Sequence, residues 1–166
     1  MKKMLSVIAC TAALLSAPTF AKQVRLASDF TYPPFNYKDQ SGNPTGFDIE
    51  IAEALCAEAK LNCTWVAQNW DSLIPSLLAR KSDVIMASMR ITQERKKRVL
   101  FTNKYYQTPA RFVTAMDAEV DISVQGMKDK VIGVQSGTIH DRYVTDKFGN
   151  VAEIKRYSGQ DEVYID

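Results

Sequence analysis

Histidine occurs once in the 166 residues, at His140, and cysteine only three times. Zinc is held by His and Cys ligands grouped together, and no further Cys or His lies near Cys56 and Cys63, so no metal site is expected. No cofactor is expected either. Charge of one sign is also missing. Lys and Arg number 21 against 19 acidic residues, and the only basic tract is Arg95-Lys96-Lys97-Arg98. That argues against nucleic acid as a partner. The one long apolar run, Met4 to Leu15, is short of the ~20 residues that span a bilayer. Internal repeats and Gly/Ser-rich linkers are absent, which leaves a globular chain of one domain, or of one domain and part of another.

The apolar run has a different reading. Lys2 and Lys3 precede it, Ser16-Ala17-Pro18 relaxes it, and Thr19-Phe20-Ala21 places small residues at −3 and −1 of a cleavage site. Residues 1–21 therefore read as a secretory signal peptide, with the mature chain starting at Lys22. Val7-Ile8-Ala9-Cys10 imitates a lipidation box, but Cys10 lies inside the apolar run, so a soluble exported product is expected. Removing Lys2 and Lys3 leaves 19 basic and 19 acidic residues and no net charge. Two cysteines then remain, Cys56 and Cys63. In an oxidising compartment they are expected to form a disulfide, worth ~2–3 kcal/mol on the chain-entropy account.

Pattern assigns the elements. Val24 to Ser28 alternates as a strand. Tyr32-Pro33-Pro34-Phe35 is a loop, and residues 38–44 form a turn between short strands. Asp48 is expected to cap a helix over Ile49–Ala59. A strand follows at Cys63–Ala67, then a helix at Asp71–Arg80 with Pro75 in its first turn. Asp83–Ala87 reads as a buried strand, Thr92 as the cap of a short helix, Val99–Phe101 as a strand and Arg111–Met116 as extended. A second unit places strands at Val131–Val134 and Val151–Tyr157 around a helix at Ile139–Phe148, with Tyr143 and Phe148 buried and a further helix from Gln160. Such alternation argues an α/β fold with a parallel sheet.

Four stretches carry chemistry. Arg95 presents a planar fork of donors suited to a carboxylate, just after the Thr92 cap, where free N–H groups also favour an anion. Alone it reads as one more solvated charge; the surrounding pattern reverses that. Tyr32 and Trp70 lie beyond strand ends, where open α/β sheets bind ligands, and two aromatic faces can hold an aliphatic stem and a cation. Asp29 follows the first strand and suits the far end of a cationic side chain. By themselves, core for Trp70 and turn for Asp29 are the plainer readings. Gly137-Thr138-Ile139 joins a strand to a helix and offers backbone N–H groups to the same anion.

The segments Asp29 to Phe35, Gly46 to Leu55, Trp70 to Leu78, Ser88 to Arg98 and Gly133 to Thr138 resemble the periplasmic polar amino-acid-binding proteins of ABC importers. Cys56, Cys63, Tyr32 and Trp70 resemble most the lysine-, arginine-, ornithine- and histidine-binding branch. The resemblance implies a two-lobe periplasmic-binding-protein fold (type II), with lobe 1 at residues 22–111 and part of lobe 2 at 112–166. It implies a soluble, monomeric receptor that takes a basic L-amino acid and delivers it to a membrane permease. Arg95 would hold the α-carboxylate with the backbone N–H groups of Arg90 and Ile139, and Ser88 would meet the α-ammonium. Tyr32 and Trp70 would sandwich the side chain, and Asp29 would meet its terminal charge. Ala87, Gln135, Thr138 and His140 would line the pocket.

The chain departs from the family pattern at three points. Arg90 replaces a small residue or an acid, adding positive charge near a cationic ligand unless its side chain points away. Ala87 replaces a serine. Measured against the family, the chain stops at Asp166, before the second-lobe aspartate of the α-ammonium site and the return crossing to lobe 1. That implies a partial second lobe with exposed apolar faces. Two alternatives stand beside the receptor reading: an enzyme on the same fold, such as a cyclohexadienyl dehydratase, and a truncated remnant.

Overall fold

The computed structural model describes residues 23–166. The expected signal peptide, its cleavage site, Lys22 and Cys10 therefore lie outside the described residues.

Strand β1 (Gln23–Ser28) is the centre of a parallel sheet, between β5 (Asn62–Ala67) and β6 (Val84–Ile85). Side chains alternate faces along a strand, and β1 uses both. Leu26 packs with Ala52 of helix α1 (Phe47–Glu58) and Met86, while Ala27 packs with Leu73 of α2 (Leu73–Leu78) and Ala87. Between β1 and α1 runs a small antiparallel sheet of β2 (Thr31–Tyr32), β3 (Asn36–Lys38) and β4 (Pro44–Thr45). Past a four-residue helix α3 (Gln93–Lys96), the chain builds a second parallel pair. Here β7 (Val131–Gln135) and β8 (Glu153–Tyr157) flank α4 (Ile139–Phe148), and α5 (Gln160–Ile165) follows. Met127, Ile132, Val134, Val144 and Phe148 form the core of this unit.

The Cys56–Cys63 disulfide is present and ties the last turn of α1 to β5, with its Cα atoms 6.2 Å apart. That is within the usual span of such bridges.

Several expectations need correction. Gly46, not Asp48, stands at the N-cap of α1. The Phe47 and Asp48 N–H groups donate to the Pro34 and Phe35 carbonyls at 3.1 and 2.8 Å, so the helix start is satisfied by the preceding loop. That frees the Asp48 side chain to turn inward, where it is fully buried. The helix expected over 71–80 is split into a 3-10 turn at Trp70–Ser72 and the shorter α2. The strand expected at 83–87 shrinks to two residues, although Met86 and Ala87 beyond it pack into the two cores. Residues 97–130 contain neither helix nor strand, so the strand expected at 99–101 is not formed and the stretch read as extended at 111–116 joins no ladder. Without a neighbouring ladder, β-forming residues there stay in the open: Leu100 is 99% and Val113 82% exposed. Tyr143 is half-exposed, and Val144 takes the buried place beside Phe148.

Gly46 has φ +114, and a Cβ there would lie 2.5 Å from the Phe35 carbonyl oxygen. Both the backbone angle and the backbone contact exclude a side chain. Gly46→Ala is expected to lose about 2 kcal/mol or more of stability, read as a lower urea midpoint. An unchanged midpoint would contradict this account of the α1 start.

Candidate functional site

The carboxyl ends of three parallel strands lead into one seam. β1 leads to Asp29, β6 leads through Ala87 to Ser88, and β7 leads to the turn at 136–138. This is where open α/β sheets place ligands. Among the described residues, the first unit meets the second across the seam through four polar contacts. Trp70 Nε1 donates to the Gly137 carbonyl at 3.2 Å, and Gln135 Nε2 to Asp29 Oδ2 at 3.0 Å. The Gln160 N–H reaches Thr31 Oγ1 at 3.2 Å, and Arg142 pairs with Glu94 at 2.5 Å.

Arg95 is half-buried and lies under Trp70, its Cζ 5.5 Å from the ring centroid. Its Nη1 donates to the Arg90 carbonyl at 2.9 Å. None of the ion pairs among the described residues includes Arg95. Burial pulls its pKa down, with Glu94 opposing, yet a guanidinium keeps its charge. The expected help from a helix N-terminus is slight, since α3 has four residues and its Arg95 N–H already goes to Thr92 Oγ1. The Arg90 and Ile139 N–H groups have no protein partner among the described residues.

A cavity of about 220 Å³ opens here, bounded by Trp70, Met89, Thr92, Arg95, Thr138 and Ile139 among others. It is smaller than the ~300–1,000 Å³ of drug-sized sites and suits a ligand of amino-acid size. A second cavity of about 260 Å³ lies beside Asp29, Ala67, Gln68, Asn69 and Ser72. Both draw on the turn at 69–72. Gly137 keeps the turn of the second unit tight against it: φ is +68, and a Cβ would meet Asp71 Oδ1 at 2.1 Å.

Asp29 Oδ2 takes hydrogen bonds from Gln135 and from Thr31 Oγ1, while its buried Oδ1 has no partner. Burial pushes its carboxyl above the ordinary range, against the pull of those two bonds. Gln135 is buried, and Thr138 accepts from the Asp141 N–H as the N-cap of α4. Ala87 is buried two residues past β6. Partial burial and the Arg90 charge lower His140. Arg90 itself is exposed and donates to the Thr108 carbonyl at 2.9 Å, so its side chain is turned towards the 97–130 segment.

The aromatic pair is arranged differently from a simple sandwich. Tyr32 stacks on Phe35 at 4.9 Å, and Phe35 on Tyr106 at 5.0 Å, whereas Trp70 is engaged with Arg95 and Gly137. Sequence reasoning also missed a buried cluster next to Ser88. Asp48, expected only as a cap, accepts from Ser88 Oγ at 2.6 Å, Tyr105 OH at 2.7 Å and Asn36 Nδ2 at 2.9 Å. The available signal was the Gly46-Phe47 step, which shows that the helix starts before Asp48.

Fold and site together define an α/β protein of the two-lobe periplasmic-binding class. The chain belongs to the bacterial extracellular solute-binding proteins, family 3, whose pattern matches residues 24–156. It is 45% identical over 169 residues to an L-arginine-binding protein of Pseudomonas aeruginosa, covering 100% of this chain and 65% of that relative. An ancestral arginine-binding protein bound to arginine superposes with a TM-score of 0.80 at 30% identity, over 86% of this chain and 64% of the other. An ancestral amino acid-binding protein that is a precursor of cyclohexadienyl dehydratase gives a TM-score of 0.75 at 32% identity, over 86% and 64%. The chain spans 62–65% of the length of the curated relatives it matches.

The raised Asp29 pKa has a consequence for stability. A carboxyl held above its ordinary value binds its proton more tightly folded than unfolded. Its favourable contribution is complete below the ordinary value of ~3.9 and is lost as pH rises through the folded value. Asp29→Asn, neutral throughout, is therefore expected to melt higher than the parent at neutral pH, the two converging in acid. A variant melting lower at neutral pH would contradict the desolvation of Asp29.

Proposed function

We propose that this chain is the solute-binding component of an ABC importer, capturing a basic L-amino acid, arginine first, and delivering it to a membrane permease. The observation that carries the reading is Arg95: a half-buried, permanently charged fork beside a cavity, without a carboxylate of its own. An α-carboxylate supplies that partner bidentately, joined by the idle N–H groups of Arg90 and Ile139. Ser88 then meets the α-ammonium. The ligand side chain runs between Tyr32 and Trp70, along Ala87, Gln135, Thr138 and His140, and its terminal cation reaches the unpartnered oxygen of Asp29. A cationic group there relieves the cost that burial imposes on Asp29.

On this reading lobe 1 is residues 22–111 and the part of lobe 2 is 112–166, and the seam is the closing interface. The protein acts in the periplasm, as a monomer, without cofactor or nucleic acid. The name of the Pseudomonas relative and the arginine held by the ancestral protein support the ligand class. The enzyme alternative is not adopted, since the relatives compared are named for binding, the dehydratase precursor included.

The test is a thermal-shift series on the full chain with arginine, lysine, ornithine, histidine and glutamine. At a hundredfold excess over Kd, arginine is expected to raise Tm by about 5–10 °C. Arg95→Ala is expected to abolish the shift, and arginine affinity unchanged in that variant would overturn the site.

A further inference from the structure

The Ser88 hydroxyl has a fixed direction. Ser88 sits in left-handed backbone, φ +51, immediately after the buried Ala87. Its proton goes to Asp48 Oδ2 at 2.6 Å, and Tyr106 OH donates to its oxygen. Burial pushes the Tyr106 phenol up to about 12, so it keeps the proton it donates. A serine hydroxyl has one donor and two acceptor sites. Here the donor and one acceptor site are taken, and Ser88 remains half-buried, leaving the last lone pair for an outside group. That lone pair can only accept.

Asp48 enforces this. It is 0% exposed, and none of the ion pairs among the described residues includes it. Tyr105 OH donates to its Oδ1, and Asn36 Nδ2 to the same Oδ2 that Ser88 uses. Asn36 is held in turn by Ser28 Oγ at 3.0 Å. Every neighbour in this cluster is a donor towards Asp48, so the Ser88 proton has one resting place. The carboxylate also lies one hydroxyl away from whatever binds Ser88, where negative charge favours a cation.

We propose that Asp48 is a positioning residue that locks Ser88 as an acceptor and thereby makes the site selective for a ligand carrying an α-ammonium group. The inference rests on the binding reading above and adds a residue and a selection rule to it. An α-ammonium donates to the free lone pair. A ligand with hydrogen or a carbonyl at that position offers no donor and gains nothing.

The test compares two probes on the full chain by titration calorimetry: L-arginine, and 5-guanidinopentanoate, which is the same molecule without the α-amino group. The parent is expected to prefer arginine by about tenfold or more, the value of one hydrogen bond to a charged group. Asp48→Asn is expected to erase that preference by weakening arginine while leaving 5-guanidinopentanoate within twofold. A loss of affinity shared equally by both probes, or none for either, would mean that Asp48 only supports the fold and would overturn the proposal. Should Asp48→Asn lose its cooperative melt, Asp48→Glu carries the test, since it keeps a buried carboxylate but shifts it off Ser88 Oγ and leaves that hydroxyl in place. The same selective loss supports the proposal, and an equal loss overturns it. A parent that binds neither probe overturns the binding reading and this inference together. A parent that binds both equally overturns the inference alone.

Discussion

The first unit is organised around one carboxylate buried without a cation. Asp48 takes its hydrogen bonds from Asn36 in β3, from Ser88 three residues past β6 and from the Tyr105 loop. Removing such a group from water costs several kcal/mol unless every lone pair is used. Its partners are therefore constrained in position, because a small shift of any of them leaves a buried polar atom unpaired. The loop at 34–35, which satisfies the start of α1, is part of the same arrangement, since it lets Asp48 point inward instead of capping. Ser88 inherits its orientation from this cluster, and the chain then turns through Arg90 towards Arg95.

The second constraint is the seam. Several residues proposed to meet a ligand already meet one another across it: Asp29 with Gln135, Trp70 with Gly137. The contacts are few and mostly single hydrogen bonds. Surface pairs such as Glu94–Arg142 contribute little each. A ligand entering here must therefore displace or add to weak contacts. The half-buried Arg95 and the unpartnered Asp29 oxygen are the groups with most to gain from it.

Much of this was legible in sequence where local pattern and tertiary demand agree. The β1 alternation, the Thr92 cap and the helix over Ile139–Phe148 follow from residue type and spacing. Pattern failed where a partner element decides. Residues 99–101 have strand composition but no ladder, and Tyr143 has helical core spacing but faces outward. Asp48 looked like a cap because capping is the common use of an aspartate at a helix start. Its burial depends on Ser88 and Tyr105, 40 and 57 residues away, and no local window contains that information. Likewise the place of Trp70 just beyond a strand end was legible, while its stacking with Arg95 was not.

The central claim is that Arg95 and Ser88 receive the two charged ends of one amino acid's backbone. The direct measurement is a crystal structure of the full chain grown with L-arginine. The account predicts the α-carboxylate in bidentate contact with the Arg95 guanidinium and the α-ammonium against Ser88 Oγ. Arginine bound with its carboxylate away from Arg95, or with its ammonium away from Ser88, would contradict it.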